Sequence, residues 1–391
     1  MDEPRVVVFA GGGTGGHLYP ALALADALER LRPDVRPYFV GALRGIESRV
    51  LPAQGRDHVL LPVRGIARGE GLANWRVAPA LVRSLREVDR LLRRLGPELV
   101  VVTGGYAGAP AGIVGVLQGL PVALQEQNAV PGVTTRLLAR WARQIHVAFP
   151  EAVDRLPGRS AQRARHSGNP VRPPEEIDRA SARRTFDLEP DARVVLVVGG
   201  SQGSAALNRL VVEAVEGIRS GRVRRGEDVQ VLWATGPDNL DDVRRALGGE
   251  APRWLRVLGY IDAMPRALAA TDVALSRAGA MATSEFLAWG IPMVLVPLPT
   301  AAADHQTHNA RTLAEAGAAI HLPQEGLGGS ELWETVEGLV DDPARLEALR
   351  KAARERGRPE SAARIATALA ELLPAPMSAE DGASPGSGDD R

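Results

Sequence analysis

The chain has 391 residues, 45% of them hydrophobic, and its 47 basic side chains balance 47 acidic ones. That length predicts two domains, each large enough for its own core, in a soluble globular chain. With no cysteine, disulfides, zinc–thiolate sites and a cysteine nucleophile are excluded, and the one lysine, Lys351, does not stand in a Gly-Lys-Ser/Thr phosphate loop.

The zero net charge is unevenly placed. Residues 1–170 carry 22 Arg against 14 acids, and the remainder is acidic by the same margin. A basic first half suits an anionic partner such as a membrane surface or phosphates, or is ordinary surface charge.

In chain order, the N-terminus runs directly into the strand RVVVFA, and no leader is expected ahead of it. GGGTGGH (11–17) then leads into the helical LYPALALADALERL. Gly11, Gly13 and Gly16 satisfy G-x-G-x-x-G, and amides at such a helix start attract anionic oxygens. A dinucleotide site also wants an acid at the end of the next strand; VGALRG offers none before Glu47, which disfavours a nicotinamide or flavin. RPYFVGA and HVLLPV read as the next strands.

Within residues 72–95, Leu81, Leu85, Val88, Leu92 and Leu95 form an apolar helical stripe, and Arg83, Arg86, Arg90 and Arg93 recur on another face. With Leu72 and Trp75 just upstream, this is either a helix packed on its sheet or a face that docks on an anionic bilayer. Val100 to Leu124 is uncharged and long enough to span a membrane, but six glycines and two prolines interrupt it. It is expected to be a buried strand, the glycine turn GGYAGAP (104–110) and a buried helix. PVALQEQN and QIHVAF follow, and the proline-containing 166–176 reads as a linker.

The second half repeats the plan: ARVVLVVGG, VQVLWATG, LRVLGYI, DVALSRAG, PMVLVPLP and AAIHLP read as strands between helices. GGSQGS (199–204) is a third glycine turn. SRAGAMATSEF puts Thr283, Ser284 and Glu285 in the first turns of a helix, where a carboxylate either accepts from vicinal ribose hydroxyls or complements the helix dipole. His305 and His308 could form half of a metal site, but no third ligand stands at helical spacing. Apolar strands alternating with helices predict an α/β fold with two doubly wound parallel sheets, and ligands bind at the carboxyl ends of such strands, where the three glycine turns lie. Three such turns suit a diphosphate-bearing ligand.

GGGTGGHLYPALALADAL, TGGYAGAP, QEQNAVPG, GNPVR, VVGGSQGSAALN and RAGAMATSEFLAWGIPMVLVPLPTAAADHQTHNA, in this order over residues 5–370, resemble the UDP-N-acetylglucosamine:lipid I N-acetylglucosaminyltransferases of bacterial peptidoglycan synthesis, the MurG family. The resemblance implies a GT-B fold, two Rossmann-like domains facing across a cleft. Residues 1–165 would take the lipid acceptor and face the membrane. Residues 166–373 would take UDP-GlcNAc, with the last helix packing back on the first domain, and 374–391 would be a disordered tail. It implies inverting transfer of GlcNAc to the C4 hydroxyl of MurNAc in lipid I (undecaprenyl-pyrophosphoryl-MurNAc-pentapeptide), giving lipid II and UDP, at the cytoplasmic face of the membrane. Peripheral attachment would run through Leu72, Trp75 and the Arg83/Arg86/Arg90/Arg93 face, with no nucleic acid as partner.

By motif, the resemblance puts Thr14, Gly15 and Gly16 near the donor sugar and diphosphate, and Asn128 on the GlcNAc hydroxyls. Arg172 and Ser201 serve the nucleotide and its phosphates, and Ile261 lies near uracil. Ala280, Met281, Ala282, Thr283, Ser284 and Glu285 wrap phosphate and ribose, Gln306 reaches the sugar, and Gly104, Gly105 and Tyr106 form an acceptor loop. The family often has His where this chain has Gln125, and His305 could exchange roles with Gln306. Transfer needs a stabilised leaving group and a base. No Asp-x-Asp occurs, so no metal or cofactor is expected; helix N-termini and Arg172 can neutralise the diphosphate, and His17 or Glu126 can take the proton. The alternatives are a UDP-GlcNAc 2-epimerase, another UDP-sugar lipid glycosyltransferase, a nicotinamide oxidoreductase, or a non-catalytic binding adaptor.

Overall fold

The structure, a computed structural model, describes residues 4–63 and 77–375. Leu72, Trp75 and the tail from residue 376 lie outside the described residues.

The first half builds a seven-stranded sheet from β1 (Arg5–Gly11), β2 (Val35–Ala42), β3 (His58–Leu61), β4 (Leu99–Gly104), β5 (Val122–Glu126), β6 (Gln144–Val147) and β7 (Ala164–His166). All neighbours are parallel, in the order β3-β2-β1-β4-β5-β6-β7. Val7, Val8, Phe9 and Ala10 of β1 are all fully buried, because helices cover both faces; a parallel strand buried on both sides reads as a continuous apolar run. On one face lie α3 (Val77–Leu95), α4 (Gly105–Leu117) and α5 (Val133–Leu138); on the other lie α1 (Gly15–Leu31) and α2 (Glu47–Ala53). The uncharged run 100–124 is thus β4, α4 and the start of β5, and among the described residues no helix is long and apolar enough to cross a membrane.

The second half repeats the design with β8 (Arg193–Val198), β9 (Val229–Ala234), β10 (Leu255–Leu258), β11 (Val273–Ser276), β12 (Met293–Leu295) and β13 (Ala319–His321), parallel in the order β10-β9-β8-β11-β12-β13. One face is covered by α7 (Ala205–Arg219), α8 (Leu240–Ala246) and α12 (Gly329–Val340). The other is covered by α9 (Met264–Ala270), α10 (Ala280–Trp289), α11 (His305–Glu315) and α13 (Pro343–Arg356), with α6 (Arg179–Arg184) against α9. The final helix, α14 (Ser361–Ala370), returns to the first half: Ile365, Ala366 and Leu369 join the core under α1, and Gln144 donates to the Ala368 carbonyl at 2.7 Å.

Two features differ from the reading of the sequence. His166, assigned to the linker, pairs with Val147 as the end of β7, a three-residue edge strand too short to announce itself. The rest of the linker divides in two: Ser167, Gly168, Asn169 and Pro170 are buried between the halves, whereas residues 172–176 are exposed.

In both sheets strand order reverses beside the first strand. The turns after β1 and β4 flank one reversal and those after β8 and β11 flank the other, and these switch points are where open α/β sheets hold ligands. Each turn opens a helix, so the N-termini of α1, α4, α7 and α10 bring partial positive charge to the sheet edges.

Candidate active site

The turns of the first half meet in contact. Gly104 and Gly105 have φ of +99° and +71°, and a Cβ on Gly104 would lie 3.0 Å from His17 Nδ1. Tyr106 covers Gly13, where a Cβ would fall 2.7 Å from its ring. Thr14 and Gly16 are exposed and Gly15 half-buried, and the Thr14 hydroxyl makes no capping bond to α1. The loop rests on Glu47 of α2, which is fully buried and accepts from the Gly13 amide at 2.8 Å. The second Glu47 oxygen has no partner among the described residues, and burial pushes this carboxyl above the usual range.

His17 is half-buried at the meeting point. Its Nδ1 lies 3.0 Å from the Thr103 carbonyl oxygen and 2.9 Å from Gln127 Oε1. The Gln127 amide nitrogen donates to Thr103 O at 2.7 Å and Gln125 O at 2.9 Å, so its oxygen must be the atom facing His17. Both neighbours of Nδ1 are therefore acceptors. Nδ1 carries the proton, and the lone pair of the neutral ring resides on Nε2, which has no hydrogen-bond partner among the described residues. Across the junction on α11, His305 lies within electrostatic range of His17 and Glu126; burial holds its imidazole below the ordinary value, and its Nδ1 donates to the Ala302 carbonyl.

Glu126 is only 3% exposed. Its Oε1 accepts from the Asn128 amide (3.1 Å) and side chain (3.4 Å), and its Oε2 from the Gly132 amide (2.9 Å) and Thr135 Oγ1 (2.6 Å). Four donors fill a carboxylate's lone-pair sites, so Glu126 staples the loop 127–135.

Where the halves meet, Asn309 of α11 accepts from the Ala129 amide at 2.9 Å and donates to Asn128 Oδ1 at 3.1 Å. Asn169, 2% exposed, donates to Ser284 Oγ at 2.9 Å and Gln127 O at 3.2 Å, and accepts from Gln125 Nε2 at 2.9 Å. Gln125, Gln127, Asn128, Asn169, Ser284 and Asn309 thus form one polar junction.

In the second half, Ser201 is exposed in the glycine turn, and Ser204 caps α7 by accepting from the Leu207 amide. Arg277, in the turn after β11, is 5% exposed and donates to Ser204 Oγ at 3.0 and 2.8 Å and to the Val296 and Pro297 carbonyls. No carboxylate pairs with it among the described residues. Burial pulls it down to about 10, so it remains a cation at neutral pH beneath a turn suited to phosphate. Glu285 is half-buried, and burial pushes its carboxyl up to about 7, opposed by exposed Arg172 nearby.

Met281 and Ala282 are half-buried, and Ala280 is 9% exposed. Thr283 departs from the ligand-facing role: it is fully buried, and its hydroxyl lies 3.1 Å from the carbonyl oxygens of Gly279 and Ala280, so the helix itself uses that group. Ile261 is 3% exposed and packed in the core, which leaves its backbone rather than its side chain for a base. Gln306 is half-buried and accepts from the Leu298 amide at 3.0 Å, leaving its NH2 group for other partners.

On α3, Val88 and Leu92 are buried on the sheet, Leu85 and Leu95 are half-buried, and Leu81 is 37% exposed. Arg83, Arg86 and Arg90 are exposed, while Arg93 binds Asp89 at 3.1 Å. Apolar exposure continues at Leu117, the end of α4, and on and just after α5 at Val133, Leu137 and Trp141, with Arg140 stacked 5.1 Å from the Trp141 ring. The sequence reading does not include this second group, in which Val133, Leu137 and Trp141 stand four apart beside Arg136, Arg140 and Arg143. Arg277 and Asn169 are likewise polar residues inside quoted motifs to which the sequence reading gives no role.

Residues 7–147 match the glycosyltransferase family 28 N-terminal domain and residues 194–365 its C-terminal domain. A Salinibacter ruber protein named UDP-N-acetylglucosamine–N-acetylmuramyl-(pentapeptide) pyrophosphoryl-undecaprenol N-acetylglucosamine transferase is 43% identical over 92% of this chain and 95% of its own length. A Moorella thermoacetica protein of the same name is 40% identical over 90% of this chain and 95% of its own. The crystal structure of Acinetobacter baumannii MurG covers 94% of this chain and 99% of that one, with a TM-score of 0.73 at 26% identity.

Proposed function

The chain belongs to glycosyltransferase family 28, among the UDP-GlcNAc–MurNAc-(pentapeptide) pyrophosphoryl-undecaprenol GlcNAc transferases, and from that premise we propose that it transfers GlcNAc from UDP-GlcNAc to lipid I, giving lipid II and UDP. The observation that carries this is the 43% identity over 92% of the chain to a relative of that name.

In the mechanism, the C4 hydroxyl oxygen of MurNAc attacks C1 of GlcNAc from the face opposite the diphosphate. The C1–O bond breaks with its electron pair on UDP, and the hydroxyl proton passes to His17 Nε2. His17 is assigned this role over Glu126 because the Glu126 oxygens are filled by the loop they staple. The N-termini of α7 and α10, with Arg172 and buried Arg277, oppose the charge that develops on the departing diphosphate. Ionised Glu285 accepts from the ribose hydroxyls. Ser201 and the backbone of 280–282 meet phosphate, and Ile261 meets uracil through its backbone. Thr14, Gly15, Gly16, Asn128 and Gln306 line the sugar, while Gly104, Gly105 and Tyr106 border the acceptor.

Residues 1–165 form the acceptor side and 166–373 the donor side. The exposed arginines of α3 and the apolar residues of α3, α4 and α5 rest on an anionic bilayer at the cytoplasmic face. Product stereochemistry tests the reading: a β-linked disaccharide by proton NMR is expected, and an α linkage would contradict single inversion at C1.

A further inference from the structure

The side chains between His17 and the second half form a chain of hydrogen bonds with a single direction. His17 Nδ1 donates to Gln127 Oε1 (2.9 Å), and Gln127 Nε2 donates to Gln125 Oε1. Gln125 Nε2 donates to Asn169 Oδ1 (2.9 Å), and Asn169 Nδ2 donates to Ser284 Oγ (2.9 Å) on α10. Backbone carbonyls set this direction. Gln127 NH2 faces the oxygens of Thr103 and Gln125, and Asn169 NH2 faces those of Gln127 and Ala280. The three amides are 1–2% exposed, so turning one over would bury unpaired groups.

We propose that Gln127 is a positioning residue for proton transfer: it holds His17 with its proton on Nδ1 and its lone pair on Nε2, and Gln125 and Asn169 tie that orientation to Ser284 in the other half. The proposal rests on the reading of His17 as the base. A carboxamide orients the ring without placing a charge beside it, unlike the carboxylate partner of a triad histidine. An anion beside the ring favours the imidazolium, whereas a neutral acceptor orients the ring and leaves it free to lose its proton. Glu126, the nearest acid in sequence, is turned into its own loop. The other titratable groups around the ring are Glu47 from α2, Tyr106 from α4 and His305 from α11. All three remain in each variant below.

The experiment is long-range proton–nitrogen NMR of the full chain labelled with 15N-histidine, with His17→Gln assigning the resonance, alongside the pH profile of kcat/KM. Neutral His17 is expected with its proton on Nδ1. Gln127→Glu is expected to keep the imidazolium to a pH about 1 unit or more higher and to carry the acid limb of the profile with it. Gln127→Leu is expected to move both readouts to lower pH. Asn169→Ala is expected to move them the same way by less, because Thr103 and the Gln125 carbonyl still hold Gln127.

A wild-type His17 with its proton on Nε2 would overturn the proposal. So would variants that lose turnover while the titration and limb stay fixed, since that is how a merely structural junction behaves. Gln127→Glu keeps the shape of the side chain and still decides the matter if the leucine variant does not fold. Wild-type turnover in His17→Gln would instead overturn the base reading beneath the proposal, and the tautomer spectrum distinguishes that case.

Discussion

A Cβ atom on Gly105 would lie 2.1 Å from the carbonyl oxygen of Gly12, so the turns after β1 and β4 touch backbone to backbone. The approach holds the ring of His17 against the α4 turn, and Gly105 also has a positive φ of +71°. Gly105→Ala combines a steric clash with a left-handed backbone, a cost of about 1–3 kcal/mol for the backbone alone. Thermal unfolding should fall accordingly and transfer should be lost. UDP affinity should hold if, as proposed, the nucleotide binds the other half.

His17→Ala removes the proposed base and leaves the residues proposed for the nucleotide in place. Turnover should fall by about 10²–10⁴-fold, with UDP-GlcNAc affinity by calorimetry unchanged. Glu126→Gln serves as the contrast. It weakens a four-donor staple, so it should lower thermal stability while the acid limb of the pH profile stays where it is in the wild type.

The proposed contact of Glu285 with ribose predicts that donor binding depends on pH. Its folded-state carboxyl is raised to about 7 by burial, from an ordinary value of 4.5, so at neutral pH much of it is protonated. Under the proposed assignment, ribose hydroxyls donate to the ionised form and draw it back down. Binding of UDP-GlcNAc, whose diphosphate has no ionisation near neutral pH, should therefore release part of a proton near pH 7, measured by calorimetry in buffers of differing ionisation enthalpy. Affinity should improve as pH rises through 7, and Glu285→Gln should abolish both effects. The same shift has a sign for stability: the folded state favours the protonated form, a contribution fully present below about 4.5 and lost as pH rises through 7. Glu285→Gln should thus raise the melting temperature at pH 8 relative to wild type and change it little at pH 4.5.

How much of this was legible in the sequence follows from what each feature depends on. Strands such as RVVVFA and the glycine turns were readable because both-face burial and tight backbone approach leave local composition marks. His17 stood out as the one titratable group in its turn. Three things left no local mark. The direction of the amide chain through Gln125, Gln127 and Asn169 depends on Thr103, 24 positions from Gln127, and on Asn169, 44 positions from Gln125. The self-satisfied hydroxyl of Thr283 depends on helix geometry, and the four-donor setting of Glu126 depends on how the following loop folds back. Arg277 differs from these, since an arginine just after a buried strand with no acid nearby is a signal one can look for.

The proposed membrane face yields a quantitative expectation. Each arginine near an anionic surface contributes about 1 kcal/mol, so Arg83→Glu, Arg86→Glu and Arg90→Glu together should weaken sedimentation with phosphatidylglycerol vesicles by roughly 100-fold or more. Trp141→Ser should weaken it further. Transfer to a short-chain, water-soluble acceptor should persist in both variants, because none of these residues stands at the junction of the two halves.

The most direct test of the central claim is transfer of radiolabelled GlcNAc from UDP-GlcNAc to a short-chain lipid I analogue, with EDTA present. The account predicts a labelled lipid-linked disaccharide formed with one UDP per turnover, and nothing formed when the acceptor is left out. Conversion of UDP-GlcNAc to its 2-epimer without acceptor, or UDP-GlcNAc binding with no transfer to lipid I, would contradict it.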